Sequence, residues 1–437
     1  MKKINFLLIS TNEKIAHRTR DICKEFRYSQ AQINESRLIN QFSDLILLTT
    51  ENYQTELNLL HDIRNLKTLA PESFLVISIS PNLAYAQPQK LKESGADCIL
   101  LDSDILSSCK LEFVAFQKVR SSHVAIKSTD LKVGTSINCF VYHLMPINQQ
   151  FLPLVWPNET ITEFKIERLK KIKDVYILRK DLDIFQNYSD RSNSSPMEIC
   201  RSHYQSLITS YFDLMLYFAD HGESMSFKKG DELLNNCIGG ANNLVESLKR
   251  VNNVWPVFNY VPAGYYGSME KSPMVASYAA LLSIKSNIGN PTDTLLAALL
   301  ADLGMLFLAP DLAKKIHYGI DSSYLSHFEN DEYQKHPTMS LVAVLARKIE
   351  IPEMIIKIIL GTHERADRKG FPYKPNPAMI PQESMLIQLS ELAIRDYCVE
   401  GLDHHHSGTS KLDPSQLFNI FSDQFLAKVQ KSFCLAV

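Results

Sequence analysis

The chain has 437 residues and a mass of 49.7 kDa, which exceeds the size at which one hydrophobic core usually stops growing. With 45% hydrophobic and 22% charged residues, the composition excludes a collagen-like or broadly disordered chain and predicts several folded domains. The 46 Lys and Arg residues nearly balance the 48 Asp and Glu residues, and this net charge of −2 gives no whole-chain attraction to nucleic acid or anionic membranes.

Short apolar runs recur in the first hundred residues, at 4–9, 45–48, 74–79 and 98–101. Polar stretches of helical length separate them, which predicts an α/β domain with a parallel sheet covered by helices on both faces. With Gly95-Ala96-Asp97 before the last run, residues 1–122 resemble the receiver domain of two-component signalling. An unrelated flavodoxin-like scaffold is the alternative.

A working receiver holds Mg²⁺ with carboxylates after its first strand, phosphorylates an Asp after its third, and has a Lys after its fifth. The corresponding positions here are Ser10-Thr11, Thr49-Thr50 and Asp102. The resemblance therefore implies a pseudo-receiver without a phosphoacceptor, used for docking or dimerisation.

The pattern changes after residue 128. Short or alternating apolar stretches at 139–144, 151–156 and 175–178 predict a small β-rich module over residues 128–188. A polar, breaker-rich linker is expected at 189–196. Helical periodicity then continues to the end, so residues 189–437, which include the linker and the helices after it, are predicted to form an all-α domain.

Five ionisable residues stand out in the helical part. Lys271, Asp302, His363 and Glu391 interrupt apolar stripes at helical spacing, and His336 precedes a proline at a predicted helix start. Buried charges need partners, so convergence on one another, water or a metal is expected. Each also has a structural interpretation: a satisfied core histidine, a turn-capping Asp, or a Lys or Glu that reaches solvent.

Residues 362–372 resemble the signature H-H-E-x-x-D-G-x-G-Y-P of the HD-GYP family. The residues of this signature loop are Glu364, Arg365, Asp367, Gly370, Phe371 and Pro372, with Phe371 in place of the family's Tyr. Residues 297–305 align with that family's A-A-L-L-H-D-I-G-K, which places Asp302 on its Asp. Lys271 falls on the first histidine of the family, His336-Pro337 on its His-Pro, and Glu391 on its closing Asp. The resemblance covers roughly residues 258–433.

That family consists of metal-dependent phosphodiesterases that hydrolyse cyclic di-GMP with two or three Fe or Mn ions in an all-α bundle. The resemblance implies ligand losses here, because Lys271, Ala301 and Thr362 stand at three histidine positions. Met305 replaces the Lys of the family. Arg368 replaces a signature Gly, which is expected to disfavour the usual loop conformation.

By the same resemblance, the losses are uneven. Asp302, His336 and His363, with Glu391 nearby, are the residual metal ligands and suit at most one Fe, Mn or Zn ion. We expect no cofactor, because the ammonium group of Lys271 is predicted to replace the other metal by pairing with Asp302 and Glu391.

The sequence thus favours a bacterial regulatory pseudoenzyme, without confident catalytic residues, that binds a protein partner or a nucleotide. One alternative is a cyclic di-GMP phosphodiesterase with an atypical, mononuclear site. Another is a sensor that binds cyclic di-GMP without cleaving it. A homodimer is a further expectation, whereas nucleic-acid binding is not expected.

A cytoplasmic location is expected, since no apolar run is long enough for membrane insertion and the N-terminus lacks a secretory pattern. The eight cysteines are scattered without a C-x-x-C pair, which fits reduced thiols. His404-His405-His406 is interpreted as a surface loop rather than a metal site.

Overall fold

The computed structural model describes the chain except residues 1–4, 23–26, 32–42, 84–85, 122, 146–149, 173, 193, 253, 255–256, 258–266, 318–324, 401–416, 418–419 and 437. The His404-His406 tract therefore lies outside the described residues. The chain divides into two compact units. The first contains Met1–Ser122, Leu144–Leu152 and Met215–Phe227, and the second contains His123–His143, Pro153–Leu214 and Lys228–Val437.

The first unit contains a five-stranded parallel sheet. Its strands are β1 (Asn5–Ile9), β2 (Arg27–Ala31), β3 (Leu45–Thr49), β4 (Phe74–Ile79) and β5 (Cys98–Leu101). They lie in the order β2-β1-β3-β4-β5, and each neighbouring pair is parallel. This is the flavodoxin-like order of doubly wound α/β folds. The predicted parallel sheet is present, with β2 as a strand that the apolar pattern missed.

Five helices accompany this sheet: α1 (Glu13–Ile22), α2 (Glu56–Leu69), α3 (Pro88–Glu93), α4 (Asp102–Ser107) and α5 (Lys110–Ser121). The buried face of α2 carries Leu59, Ile63 and Leu66 at spacings of four and three, which is the amphipathic pattern of a helix packed on a core. These side chains pack with sheet residues such as Ile46 and Ile77.

A second sheet has four strands, β6 (His123–Lys127), β7 (Val141–Met145), β8 (Gln150–Val155) and β9 (Asp174–Leu178). Their order is β6-β9-β7-β8, and β6 and β9 are antiparallel. Two helices, α6 (Glu163–Lys170) and α7 (Leu182–Arg191), follow β8 and β9. The linker is shorter than the predicted range 189–196, because α7 extends to Arg191 and buries Leu182, Phe185 and Ser189.

Most of the described part of the remainder is helical. It comprises α8 (Pro196–Ala219), α9 (Phe227–Leu248), α10 (Gly267–Ser286), α11 (Pro291–Ala301), α12 (Pro310–His317), α13 (His327–Gln334), α14 (His336–Ala346), α15 (Glu353–Gly361), α16 (Gln382–Glu400) and α17 (Asp423–Ala436). Asn290 caps α11 by accepting hydrogen bonds from two backbone amides. Every α11 residue from Thr294 to Ala301 is buried, so α11 is central in the helical region. Among the described residues, no helix has the length and apolar character required to cross a bilayer.

Candidate metal centre

The five ionisable residues singled out in the sequence lie on five different segments. Lys271 is in α10, and Glu391 is in α16. Asp302 follows α11 at its C-cap and starts a 3-10 turn, rather than continuing the helix as its spacing suggested. His336 is the first residue of α14. His363 lies just after the C-cap of α15, also outside the helix in which its spacing placed it.

A close backbone approach brings the end of α11 to the start of α14. A Cβ atom on Gly304 would lie 2.0 Å from the carbonyl oxygen of His336, so only glycine fits this position. The Gly304 amide donates to Ser340 Oγ at 2.7 Å. That hydroxyl in turn lies 2.6 Å from the carbonyl oxygen of Ala301. These contacts place Asp302 and His336 side by side.

Asp302, His336 and His363 form the group whose potential ligand atoms all lie within 4.8 Å of one another. The Nε2 atom of His336 is 3.9 Å from Asp302 Oδ1 and 3.0 Å from Nε2 of His363. Ser272 Oγ donates to the other carboxylate oxygen, Asp302 Oδ2, at 2.8 Å. The structure thus brings together two imidazoles and one oriented carboxylate.

Tyr333 sets the tautomer of His336. Its carbonyl oxygen, which can only accept, lies 2.6 Å from His336 Nδ1, so we assign the ring proton to Nδ1. The Tyr333 ring also stacks on the imidazole, with centroids 4.9 Å apart. In neutral His336 the lone pair is therefore on Nε2 and faces the site, as in metal-binding histidines oriented by a backbone carbonyl.

Both histidines are neutral at physiological pH. Burial lowers the pKa of His336 to about 4, and the neighbouring His363 contributes in the same direction. Burial also lowers the pKa of His363 to about 4, and Lys271 adds to this effect while Asp302 opposes it. Neutral imidazole is the form that binds metal ions.

Glu391 and Lys271 lie at the edge of this group. Glu391 Oε2 is 3.8 Å from His363 Nδ1, the ring nitrogen opposite the one that faces His336. Burial raises the pKa of Glu391 to about 7, and Lys271 counteracts this rise through its positive charge. Glu391 is not a member of the group formed by Asp302, His336 and His363. Its position thus suits orienting His363.

One oxygen and two nitrogen donors fit a single Fe²⁺, Mn²⁺ or Zn²⁺ ion. Asp302, His336 and His363 would hold it, and such an ion would act there as a Lewis acid. The tautomer of His336 supports this fit. The positive charge of Lys271, which interacts with His363 and Glu391, would repel a metal ion at this position.

The loop that resembles the family signature is fastened by Glu364. This side chain is 2% exposed, and its Oε1 atom accepts hydrogen bonds from the backbone amides of Tyr373 at 2.5 Å and Lys374 at 3.0 Å. A Cβ atom on Gly370 would lie 2.4 Å from the carbonyl oxygen of His363, so glycine is required for this close approach. Phe371 stacks on His363, with ring centroids 4.7 Å apart and planes 14° apart. The loop therefore covers and orients His363.

Two charged residues of the loop, Arg365 and Asp367, pair with each other. Arg365 binds Asp367 through two hydrogen bonds, of 2.9 and 2.6 Å, and Asp367 also accepts the Lys369 amide at 3.0 Å. Arg368 has φ 59°, the left-handed conformation that glycine adopts without strain. Arg368 thus occupies, at the position of the signature glycine, a backbone conformation that disfavours residues other than glycine. The last residue of the signature, Pro372, follows a cis peptide bond.

Several residues of the site are not among the five ionisable residues that the sequence singled out. Ser272 orients Asp302, Tyr333 orients His336, and Ser340 joins two helix ends. Ser272 stands beside Lys271 in the segment that aligns with the family, so that alignment was a usable signal. Tyr333 precedes His336 by three residues, a spacing that has no meaning until the turn before α14 is known.

No family model matches the chain, and no curated protein matches it. Among solved structures, the chain is similar to Bd1817, a HDG"Y"P protein from Bdellovibrio bacteriovorus. The identity is 16% and the TM-score 0.44, and the match covers 71% of this chain and 99% of that one.

Proposed function

We propose that this chain is a bacterial signalling protein with a pseudo-receiver and a degenerate HD-GYP domain. In this proposal the degenerate domain lacks phosphodiesterase activity and acts by binding a protein partner or a nucleotide. The observation that carries the proposal is the charge of Lys271, which stands at the first histidine position of the family motif. This charge lowers the pKa of both Glu391 and His363, which stand at two positions that hold metal in that family.

The number of donors supports the same proposal. Hydrolysis by a pair of adjacent metals uses a bridging water that becomes hydroxide near neutral pH. Among the residues that the structure describes, the group formed by Asp302, His336 and His363 suits one ion, whereas such a bridge needs two. Ala301 and Thr362, which replace two further histidines, are buried and have no group with the affinity of imidazole for these metals.

A mononuclear phosphodiesterase is the second candidate. The observation in its favour is the tautomer of His336, whose Nε2 lone pair faces His363 and Asp302. A third candidate is a cyclic di-GMP sensor, a form of the pseudoenzyme in which the nucleotide binds and stays intact.

Metal content and nucleotide turnover separate these candidates. The untagged protein is expressed with added Fe and Mn and purified without chelator, and its metals are measured by inductively coupled plasma mass spectrometry. We expect less than about 0.1 ion per chain and no cleavage of cyclic di-GMP. Titration with cyclic di-GMP then separates a sensor, which binds it, from a pure protein-binding domain.

The matched variants are His363→Ala and His327→Ala, because His327 is an exposed histidine of α13. One ion or more per chain, lost in His363→Ala and retained in His327→Ala, together with cleavage of cyclic di-GMP, contradicts the pseudoenzyme and favours the mononuclear phosphodiesterase.

A further inference from the structure

A cavity of about 510 Å³ lies at the carboxyl ends of β1 and β3 in the first unit. These strands are neighbours, with Ile9 opposite Leu48, and both residues line the cavity. The chain leaves β1 toward β2 on one side and β3 toward β4 on the other, so the strand order reverses here. Open parallel sheets bind ligands in the crevice at such a point. The volume falls within the range of about 300–1,000 Å³ of small-molecule sites.

The lining favours a ligand that makes hydrogen bonds. Asn52, Gln54 and Asn58 bring side-chain amides to the cavity, and Tyr53 and His61 bring rings. An amide presents a donor and an acceptor together, which is the pattern that reads the edge of a nucleobase. The residues that line the cavity, among those the structure describes, include no Lys or Arg.

The place for an anion beside this cavity is filled by the chain itself. The backbone amides of Thr11 and Asn12, just before α1, donate to Glu51 Oε1 at 2.8 and 2.9 Å. The Ser10 hydroxyl donates to the same oxygen at 2.9 Å. Burial opposes ionisation of Glu51, but hydrogen bonds from Thr49, Thr11 and Ser10 outweigh it and hold its pKa below the usual value. The segment before α1 thus already holds a carboxylate, and the Asn12 side chain accepts hydrogen bonds from the first-turn amides of Lys14 and Ile15.

We propose that this cavity binds an uncharged nucleoside. The amides supply recognition of the base, and two carboxylates, Glu51 beside the cavity and Asp62 in its lining, disfavour a phosphorylated form through charge repulsion. The site belongs to the parallel-sheet unit and is independent of the function proposed for the helical region.

The test is isothermal titration calorimetry of the full chain with adenosine, guanosine, cytidine and uridine, and with their 5′-monophosphates. We expect saturable binding of at least one nucleoside, with its monophosphate weaker by roughly tenfold. The proposal is overturned if none of these nucleosides binds at concentrations up to about 2 mM. It is equally overturned if the monophosphate binds as tightly as the nucleoside.

The key variant is Asn58→Ala, which removes an exposed amide from α2 and introduces a better helix former. Its nucleoside affinity should fall roughly tenfold. Asn65→Ala makes the same change on the same helix outside the lining and should leave the affinity unchanged.

Glu51→Gln should raise the affinity for the monophosphate relative to the nucleoside by about fivefold or more. An unchanged affinity in Asn58→Ala, or an unchanged ratio in Glu51→Gln, contradicts the proposal.

Discussion

The Nε2 atoms of His336 and His363 lie 3.0 Å apart and face each other. Because His336 Nδ1 donates to the Tyr333 carbonyl, the hydrogen bond between the rings runs from His363 Nε2–H to His336 Nε2. For both Nε2 atoms to bind one ion, His363 must move its proton to Nδ1, where Glu391 Oε2 lies at 3.8 Å. The hydrogen bond between the histidines and metal binding by both rings therefore exclude each other.

Replacing Lys271 by His should increase metal binding. The change removes a positive charge that acts on His363 and Glu391 and adds an imidazole at the position where the family has one. Mass spectrometry of the Fe- and Mn-supplemented protein should detect an increase from below about 0.1 to about 0.5 ion per chain or more. Lys285→His, on the same helix, is the control and should not bind additional metal. Equal metal content in the two variants would show that Lys271 does not oppose a metal.

Replacing Lys271 by Met should destabilise the helical region, because it leaves Glu391, whose side chain is 17% exposed, without the cation that favours its ionised form. The free energy of unfolding, measured by urea denaturation, should fall by roughly 3 kcal/mol. In a Glu391→Gln background the same substitution should cost less, with a coupling energy above about 1 kcal/mol. A cost below about 1 kcal/mol in the wild-type background would contradict the metal-replacing ion pair.

Replacing Glu364 by Gln should weaken the signature loop. The Glu364 carboxylate is buried and accepts the amides of Tyr373 and Lys374, and hydrogen bonds to charged groups are the stronger kind. We expect a loss of about 2 kcal/mol in the free energy of unfolding. Glu350→Gln, at an exposed position, should change it by less than about 0.5 kcal/mol. Similar losses in both variants would contradict the anchoring role.

Replacing Arg368 by Gly should stabilise the protein slightly. The left-handed backbone at φ 59° costs a non-glycine residue roughly 1–2 kcal/mol, and the greater freedom of glycine in the unfolded chain cancels part of the gain. The expected net gain is about 0.5 kcal/mol. Lys369→Gly, without a left-handed backbone to relieve, should be neutral or destabilising. A loss of stability in Arg368→Gly would indicate that its side chain stabilises the loop.

The hydrogen bonds of Glu51 predict a dependence of stability on pH. Its pKa in the folded state is lowered, since hydrogen bonds outweigh burial, so it contributes stability above the unfolded pKa of about 4.3. That contribution is lost as the pH falls through the folded pKa. Between pH 7 and pH 3, Glu51→Gln should therefore lose less stability than the wild type. Parallel pH profiles of the two proteins, measured by thermal unfolding, would contradict this assignment.

The sequence alone predicted the elements whose patterns are local. The apolar runs that became β1, β3, β4 and β5 indicated a parallel sheet, and helical periodicity indicated the α-helical region. It missed β2, whose sequence Arg-Tyr-Ser-Gln-Ala lacks an apolar run because it lies at the edge of the sheet. Asp302, His363 and Glu391 stood out on apolar stripes and His336 before a proline, but their ligand roles came from the family resemblance, since spacing by itself left each of them with a structural interpretation.

Only the tertiary structure decided which polar groups meet. Tyr333 orients His336 across a turn, and Ser272 reaches Asp302 from a helix 30 residues earlier in the chain. Glu51 meets the amides before α1 because β1 and β3 are neighbours in the sheet. Periodicity is a property of adjacent residues, whereas these hydrogen bonds depend on how distant segments pack. The sequence therefore determined the elements with a clear apolar pattern and the candidate ligands, and packing determined the tautomers, charges and partners of those ligands.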